Sequence, residues 1–475
     1  MRLQGRPRGE YAQHGGFTRR LIVAALALLA CGVAAAQGYR RWRHAALQEP
    51  KSPLHRAQQT VMETTMKTIP VRNVLKALLL AAASVLATAP AIAQEALRIG
   101  VINPYSGALA LYGDELTRGY QLAVDERNAK GGVLGRKIEL VRGDASNPQQ
   151  GIAAVDQLVS REKVEVFIGT YTSGVSNAAS DAALRNQKIY WDTTALAADL
   201  TERKLPNFIR SGPYSGNFAE MGVRLLVESL TASLNKPAKD ISVWIEHEES
   251  IYGKSISETV HKLLDAKGVK VAGVGAHNPR ATDLTDSVLR ARRANPDVYM
   301  QIGYVPDTNL LLKTAREQGF KPPVILLTGT GDTFETLEAL GAEFLEGVFV
   351  VSYPRPDISE AFGPGAAAYL AAYRKAYSRE PIAPQSLTAF AGMRMLLETI
   401  EAAGSTEIGK VRAAAAKLDK PLNSYPSGNG VKFDDKFQNT RAFPTVIQWQ
   451  SGKQVTVFPS EARAAGIGFK NTPRK

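Results

Sequence analysis

From Leu97 onward, apolar runs of strand length alternate with amphipathic segments of helix length. This alternation constrains the fold more than any other feature, because a strand that returns through a helix pairs in parallel and leaves helices covering the sheet. The pattern predicts strands at Leu97–Ile102, Ile138–Val141, Val164–Ile168, Ile189–Trp191, Ile241–Ile245, Val269–Val274, Val298–Ile302, Val324–Leu327 and Gly347–Val351. A helical block, Pro364–Leu418, follows, and then two last strands at Thr445–Trp449 and Val455–Phe458.

Element boundaries have a chemical cause. Leu116, Tyr120, Ala123, Val124 and Arg127 recur at helical spacing, and Gly131-Gly132 stops that helix by accepting positive φ. Asn147-Pro148 supplies a cap and a first-turn proline for the next. Arg210–Gly216, rich in Gly, Ser and Pro, reads as a crossing between two blocks, with further crossings near Ser352–Pro356 and Arg441–Pro444. The expected fold class is therefore α/β. Two Rossmann-like lobes, each a parallel sheet flanked by helices, are joined by a three-crossover hinge: an N-terminal lobe of residues 94–213 and 354–443, and a C-terminal lobe of residues 214–353 and 444–465, with a basic tail at 466–475. Strand carboxyl ends of both lobes should face a cleft that closes on a ligand.

The formal charge of +13 suggests nucleic acid until it is located along the chain. Residues 1–93 hold 13 Lys+Arg and 3 Asp+Glu, leaving 45 against 42 in the body, which gives no case for phosphate-backbone binding. Cys31 is the only cysteine, so neither an internal disulfide nor a thiolate metal site can form, and His247, His261 and His277 lack metal-ligand spacing. No metal or other cofactor is expected. Residues 19–36 and 66–93 both look like export leaders. The second, with Lys67, Arg72 and Lys76 before an apolar run and Ala91-Ile92-Ala93 as cleavage site, is the expected signal peptide. Residues 1–65 then read as a leader-like extension upstream of a start at Met66 or Met62. The alternatives are a membrane anchor at Leu21–Ala36 and lipidation of Cys31.

Catalytic signatures are missing. Gly131–Gly135 follows a helix and precedes no Lys-Ser/Thr pair, so it is not a phosphate loop. Glu246-His247-Glu248-Glu249 carries acid-base groups, but no nucleophile accompanies it, and the expectation is a solvated loop. Neither a nucleophile elbow nor a dinucleotide fingerprint occurs, so the chain is not expected to be an enzyme.

The ordered set Ile99–Gly107, Tyr112-Gly113, Asn128–Gly135, Asp144 with Asn147-Pro148, Phe167–Gly169 through Ser180-Asp181, Asp199–Thr201 and Tyr252-Gly253 resembles the Leu/Ile/Val-binding family of periplasmic receptors. The resemblance spans nearly the whole body. It implies a monomeric, periplasmic receptor that delivers a small molecule to the membrane permease subunits of an ABC importer. The alternative is a ligand-sensing regulator or receptor domain of the same fold.

The resemblance also implies a site. Ser173, in Tyr171-Thr172-Ser173, matches the family's carboxylate-holding serine, beside a helix expected to begin near Val175, whose N-terminus favours an anion. Thr194, Ala195 and Leu196 match the next ligand loop, with Leu196 where amino-acid binders place Ser or Thr. Thr330 falls at the family's acidic position, with Asp332 two residues on. Tyr112, Tyr252 and Tyr304 match cleft-lining positions, and Tyr171 and Trp191 are added candidates. Without a carboxylate at position 330 the expected ligand is a small carboxylate or amide lacking an α-ammonium, unless Asp332 takes that place.

Overall fold

The computed structural model describes residues 95–470 and, apart from them, Arg41. Both leaders, Cys31 and the last five residues of the tail lie outside the described residues. Among the described residues no helix is long and apolar enough to cross a membrane.

The first lobe is built on a five-stranded parallel sheet, ordered β2-β1-β3-β4-β5. Its strands are β1 (Leu97–Asn103), β2 (Ile138–Asp144), β3 (Val166–Gly169), β4 (Ile189–Asp192) and β5 (Phe208–Arg210). The crossovers are α1 (Ala110–Ala129), α2 (Pro148–Glu162) and α3 (Ser173–Arg185). Asn147 caps α2 by accepting from the Gln150 N–H at 3.0 Å. After α1 the chain turns through Gly131 and Gly132 at φ +99° and +81°, and a Cβ on Gly132 would lie 1.9 Å from the Arg136 carbonyl oxygen. Only glycine fits that turn.

The second lobe carries a seven-stranded sheet, ordered β14-β13-β10-β9-β8-β6-β7. Its strands are β6 (Ser242–Glu248), β7 (Lys270–His277), β8 (Val298–Ile302), β9 (Val324–Thr328), β10 (Phe349–Ser352), β13 (Thr445–Gln450) and β14 (Lys453–Phe458). Five are parallel; β13 pairs antiparallel with β10 and β14, so the final hairpin departs from the expected all-parallel sheet. Helices α4 (Ser215–Leu225), α5 (Ile251–Ala266), α6 (Thr285–Ala294), α7 (Val305–Glu317) and α8 (Phe334–Leu340) belong here. The late helices α9 (Ala366–Tyr377), α10 (Gln385–Ala403) and α11 (Ile408–Ala415) return to the first lobe, where Leu387, Leu396 and Ile400 share a core with Leu97, Ile99, Val101 and Tyr120. Truncating one of these fully buried leucines to alanine removes about 2–5 kcal/mol. Helix α10 approaches α1 so closely that a Cβ on Gly119 would lie 2.1 Å from the Ser386 carbonyl oxygen.

Three short strands were not expected: β5, β11 (Asp419–Lys420) and β12 (Val431–Lys432). The acidic run was misplaced. Glu246, His247 and Glu248 lie within β6 and are buried; only Glu249 is exposed. Internal partners replace water: Glu246 meets Trp244 and His277, and Glu248 accepts from the Ser250 and Gly253 N–H groups at the start of α5.

Candidate functional site

Strand carboxyl ends of both lobes face each other, and four tyrosines occupy the gap. Tyr112 stands in the first turn of α1, and Tyr171 lies between β3 and α3. Tyr304 is the N-cap of α7, and Tyr252 stands in the first turn of α5. Tyr112 stacks on Tyr171 with centroids 4.1 Å apart; Tyr171 tilts toward Tyr304 at 6.0 Å, and Tyr304 toward Tyr252 at 5.1 Å. The row thus runs from the first lobe into the second, and Tyr304 packs against both lobe cores. The Tyr252 hydroxyl donates to the Thr328 carbonyl at 3.0 Å, whereas among the described residues the buried Tyr171 hydroxyl makes no hydrogen bond of normal geometry. A buried polar atom in that condition carries a desolvation cost that a bound polar group would relieve.

Asp332 lies at the Tyr112 end of the row. The loop after β9 bends through Gly329 and Gly331, at φ +70° and +77°, and carries its fully buried carboxylate against the first lobe. Ser352 Oγ donates to Asp332 at 2.5 Å, Tyr112 Oη at 3.1 Å and Gln385 Nε2 at 3.3 Å. Burial pushes the Asp332 carboxyl above its ordinary range, against the pull of those three donors. Among the described residues no cation pairs with it. Thr330, the expected acidic position, instead donates its hydroxyl to Thr308 within the second lobe at 3.0 Å. With the loop bent in this way Asp332, not Thr330, reaches the lobe interface.

The opposite chemistry gathers at α3. This helix begins at Ser173, two residues before the expected start, with Thr172 as an N-cap whose side chain makes no capping bond. Ser173 Oγ accepts from the Ala197 N–H at 3.1 Å, which leaves its proton to donate, and the first-turn N–H groups have no intrahelical acceptor. Thr194 spends its hydroxyl on the Thr170 carbonyl at 3.1 Å. The Thr194 and Ala195 N–H groups donate to Asp192, and Leu196 packs into the second-lobe core beside Phe218 and Tyr252.

Trp191 does not line the gap. Its indole is fully buried in the first-lobe core, donating to Ser211 Oγ at 2.9 Å and meeting Phe433 edge-on. Residues that the sequence did not single out are Gln385, Ser352 and Tyr353. Gln385 is fully buried, and among the described residues its Oε1 has no hydrogen-bond partner. Tyr353 Oη donates to the Thr194 carbonyl at 2.5 Å. No motif marks them; they meet the other site residues only through the packing of the late helices and β10.

A family model described as periplasmic binding protein matches residues 96–454. Leu/Ile/Val-binding protein homolog 7 of Brucella suis biovar 1 is 35% identical over 387 residues, covering 81% of this chain and 96% of the relative. Homolog 8 of Brucella abortus is 34% identical over 374 residues, covering 78% and 93%. A leucine-binding protein from Thermotoga maritima shares the fold at TM-score 0.66 and 24% identity, over 76% of this chain and 97% of that one. A Rhodopseudomonas palustris solute-binding protein, solved with 4-hydroxybenzoate, does so at 0.66 and 21%, over 76% and 95%. With the family model matched over most of the chain and the Brucella relatives aligned along nearly their whole length, the chain belongs to the Leu/Ile/Val-binding-like family of periplasmic binding proteins.

Proposed function

We propose that this protein is the extracytoplasmic receptor of an ABC importer, a monomer that holds a small polar ligand between its lobes, presents it to permease subunits and performs no chemistry on it. One observation carries the reading: aromatic rings from both lobes form one row, with a buried carboxylate bonded to Tyr112 at one end and the N-terminus of α3 beginning two residues after Tyr171. Tyr112, Tyr171, Tyr252 and Tyr304 supply apolar walls. Ser173, Thr172 and the first-turn N–H groups of α3 face a carboxylate or carbonyl oxygen, and the loop Thr194-Ala195-Leu196, its Thr194 and Ala195 donors spent internally, backs them. Asp332 faces a cationic nitrogen, because a buried carboxylate without a cation is unfavourable by several kcal/mol or must take up a proton. This revises the ligand expected from Thr330 alone: an amino-acid-like zwitterion fits better than a carboxylate lacking an ammonium, in keeping with the names of the Brucella relatives.

A thermal-shift and calorimetric screen tests the assignment, using leucine, isoleucine, valine, phenylalanine, small amides and 4-hydroxybenzoate. A ligand at 100 times its Kd stabilises the fold by about 2.7 kcal/mol. A response to amino acids and not to benzoates supports the zwitterion; the reverse order overturns it. Silence across the whole panel, or turnover of any member, counts against the receptor itself.

A further inference from the structure

The 194–198 loop is tied down on every side. The Thr194 carbonyl accepts from Tyr353, at the second crossing, and the Leu196 carbonyl accepts from the Ser215 N–H, the first residue of α4 in the second lobe, at 2.7 Å. The Ala197 N–H reaches Ser173, and the Ala198 N–H reaches Ser255 Oγ in α5 at 3.0 Å. The Ala198 carbonyl accepts from the Thr201 and Glu202 N–H groups, and those of Ala195 and Ala197 both accept from Arg210 Nη1, at 2.9 and 2.7 Å.

Arg210 is fully buried at the end of β5, where the chain leaves the first lobe. Its other donors turn elsewhere. Nε donates to Gln438 Oε1 at 2.5 Å, and Nη2 to Thr201 Oγ1 at 3.2 Å. Gln438 in turn donates to the Gly212 carbonyl at 2.9 Å, and the Arg210 backbone brackets this segment through the Phe437 carbonyl and the Asn439 N–H. One rigid planar group therefore holds the candidate ligand loop and segments leading into the first and third crossings. A lysine, with a single nitrogen, cannot serve four acceptors spread over that arc.

We propose that Arg210 is a positioning residue for ligand binding, locking the 194–198 loop to the hinge so that displacement of the loop is passed to the crossings. The proposal rests on the receptor reading for the loop's role. Its test is made without ligand, so that a wrong ligand assignment leaves it intact.

The experiment uses the full chain with Cys31→Ser and spin labels on cysteines replacing Gln157, exposed on α2, and Lys262, exposed on α5. Electron-electron double resonance reads the distance between lobes in the parent, in R210K, in Q438M and in the double variant. R210K and Q438M should each add a longer-distance population, and the double variant should match R210K alone, because both substitutions act through one bond network. Q438M leaves the loop contacts in place and removes only the hinge contact, so it carries the test if R210K does not fold. A lowered melting temperature with unmoved distances would assign Arg210 to packing alone and overturn the proposal. Additive effects in the double variant would overturn it as well.

Discussion

Beneath Tyr304 lies a group whose titration should be measurable. His277 Nδ1 is 3.1 Å from Glu246 Oε1, and Nε2 is 3.0 Å from Asp307 Oδ2, all three side chains being buried. Asp307 also accepts from the Tyr304 N–H at 3.0 Å, so the trio fixes the start of α7 and its ring. Burial lowers the imidazole pKa, but the bonds to Asp307 and Glu246 and their charges outweigh it and raise the value from 6.5 to about 9. Burial pushes Asp307 upward too; the direction that matters is that of the imidazolium, held between two carboxylates. A pKa raised on folding means stability present in full below pH 6.5 and lost as pH rises through 9. At 1.36 kcal/mol per unit, the shift corresponds to about 3 kcal/mol. Urea unfolding of wild type and His277→Gln at pH 6 and pH 10 isolates this contribution from other groups. The stability gap between the two proteins should shrink by roughly that 3 kcal/mol at the higher pH. An equal gap at both values would refute the charged trio.

Three further outcomes concern the site. Ser173→Ala should weaken the best ligand of the screen about tenfold or more, as expected for a hydrogen bond to a charged group; unchanged calorimetric affinity would remove Ser173 from the site. Asp332→Asn should abolish binding of amino acids at neutral pH, and retained affinity would show that its carboxylate meets no ligand cation. Ligand-induced fluorescence should depend on Trp449, whose indole N–H holds the Gly331 carbonyl at 3.0 Å, and not on the core residue Trp191. Trp449→Phe should silence the signal, and a signal lost instead in Trp191→Phe would contradict the placement of both.

Most of the fold is legible because long apolar strands bounded by Gly, Pro and capping residues leave few alternatives. β5 escapes because three residues carry no periodicity. Glu246–Glu248 mislead for another reason: an acidic run looks solvated unless its partner is known, and His277 reaches it only through the parallel register that sets Glu248 opposite His277. The family pattern points to Tyr112, Tyr252, Tyr304 and Ser173 as candidates, the strand-end position adds Tyr171, and the structure brings the four rings into one row. The acidic position is not legible from that pattern, since two positive-φ glycines alter the direction of the loop without changing its length. Gln385 is invisible for want of any local signal; its place depends on the close approach of α10 to α1. Trp191 shows the limit of strand-end reasoning, because its side chain shares the face of Ile189 and points into the core.

The terminal hairpin bears on how such a chain becomes complete. β10 ends at Ser352, yet its antiparallel partner begins only at Thr445, after all three late helices of the other lobe. Until that partner has been synthesised, β10 is an open edge whose unpaired N–H and C=O groups can recruit a foreign strand. Neither lobe is a continuous stretch of chain, so each waits for a segment that follows part of the other. A nascent chain halted before β13 would carry an adhesive border, and the last two strands serve as the seal that ends this vulnerable interval.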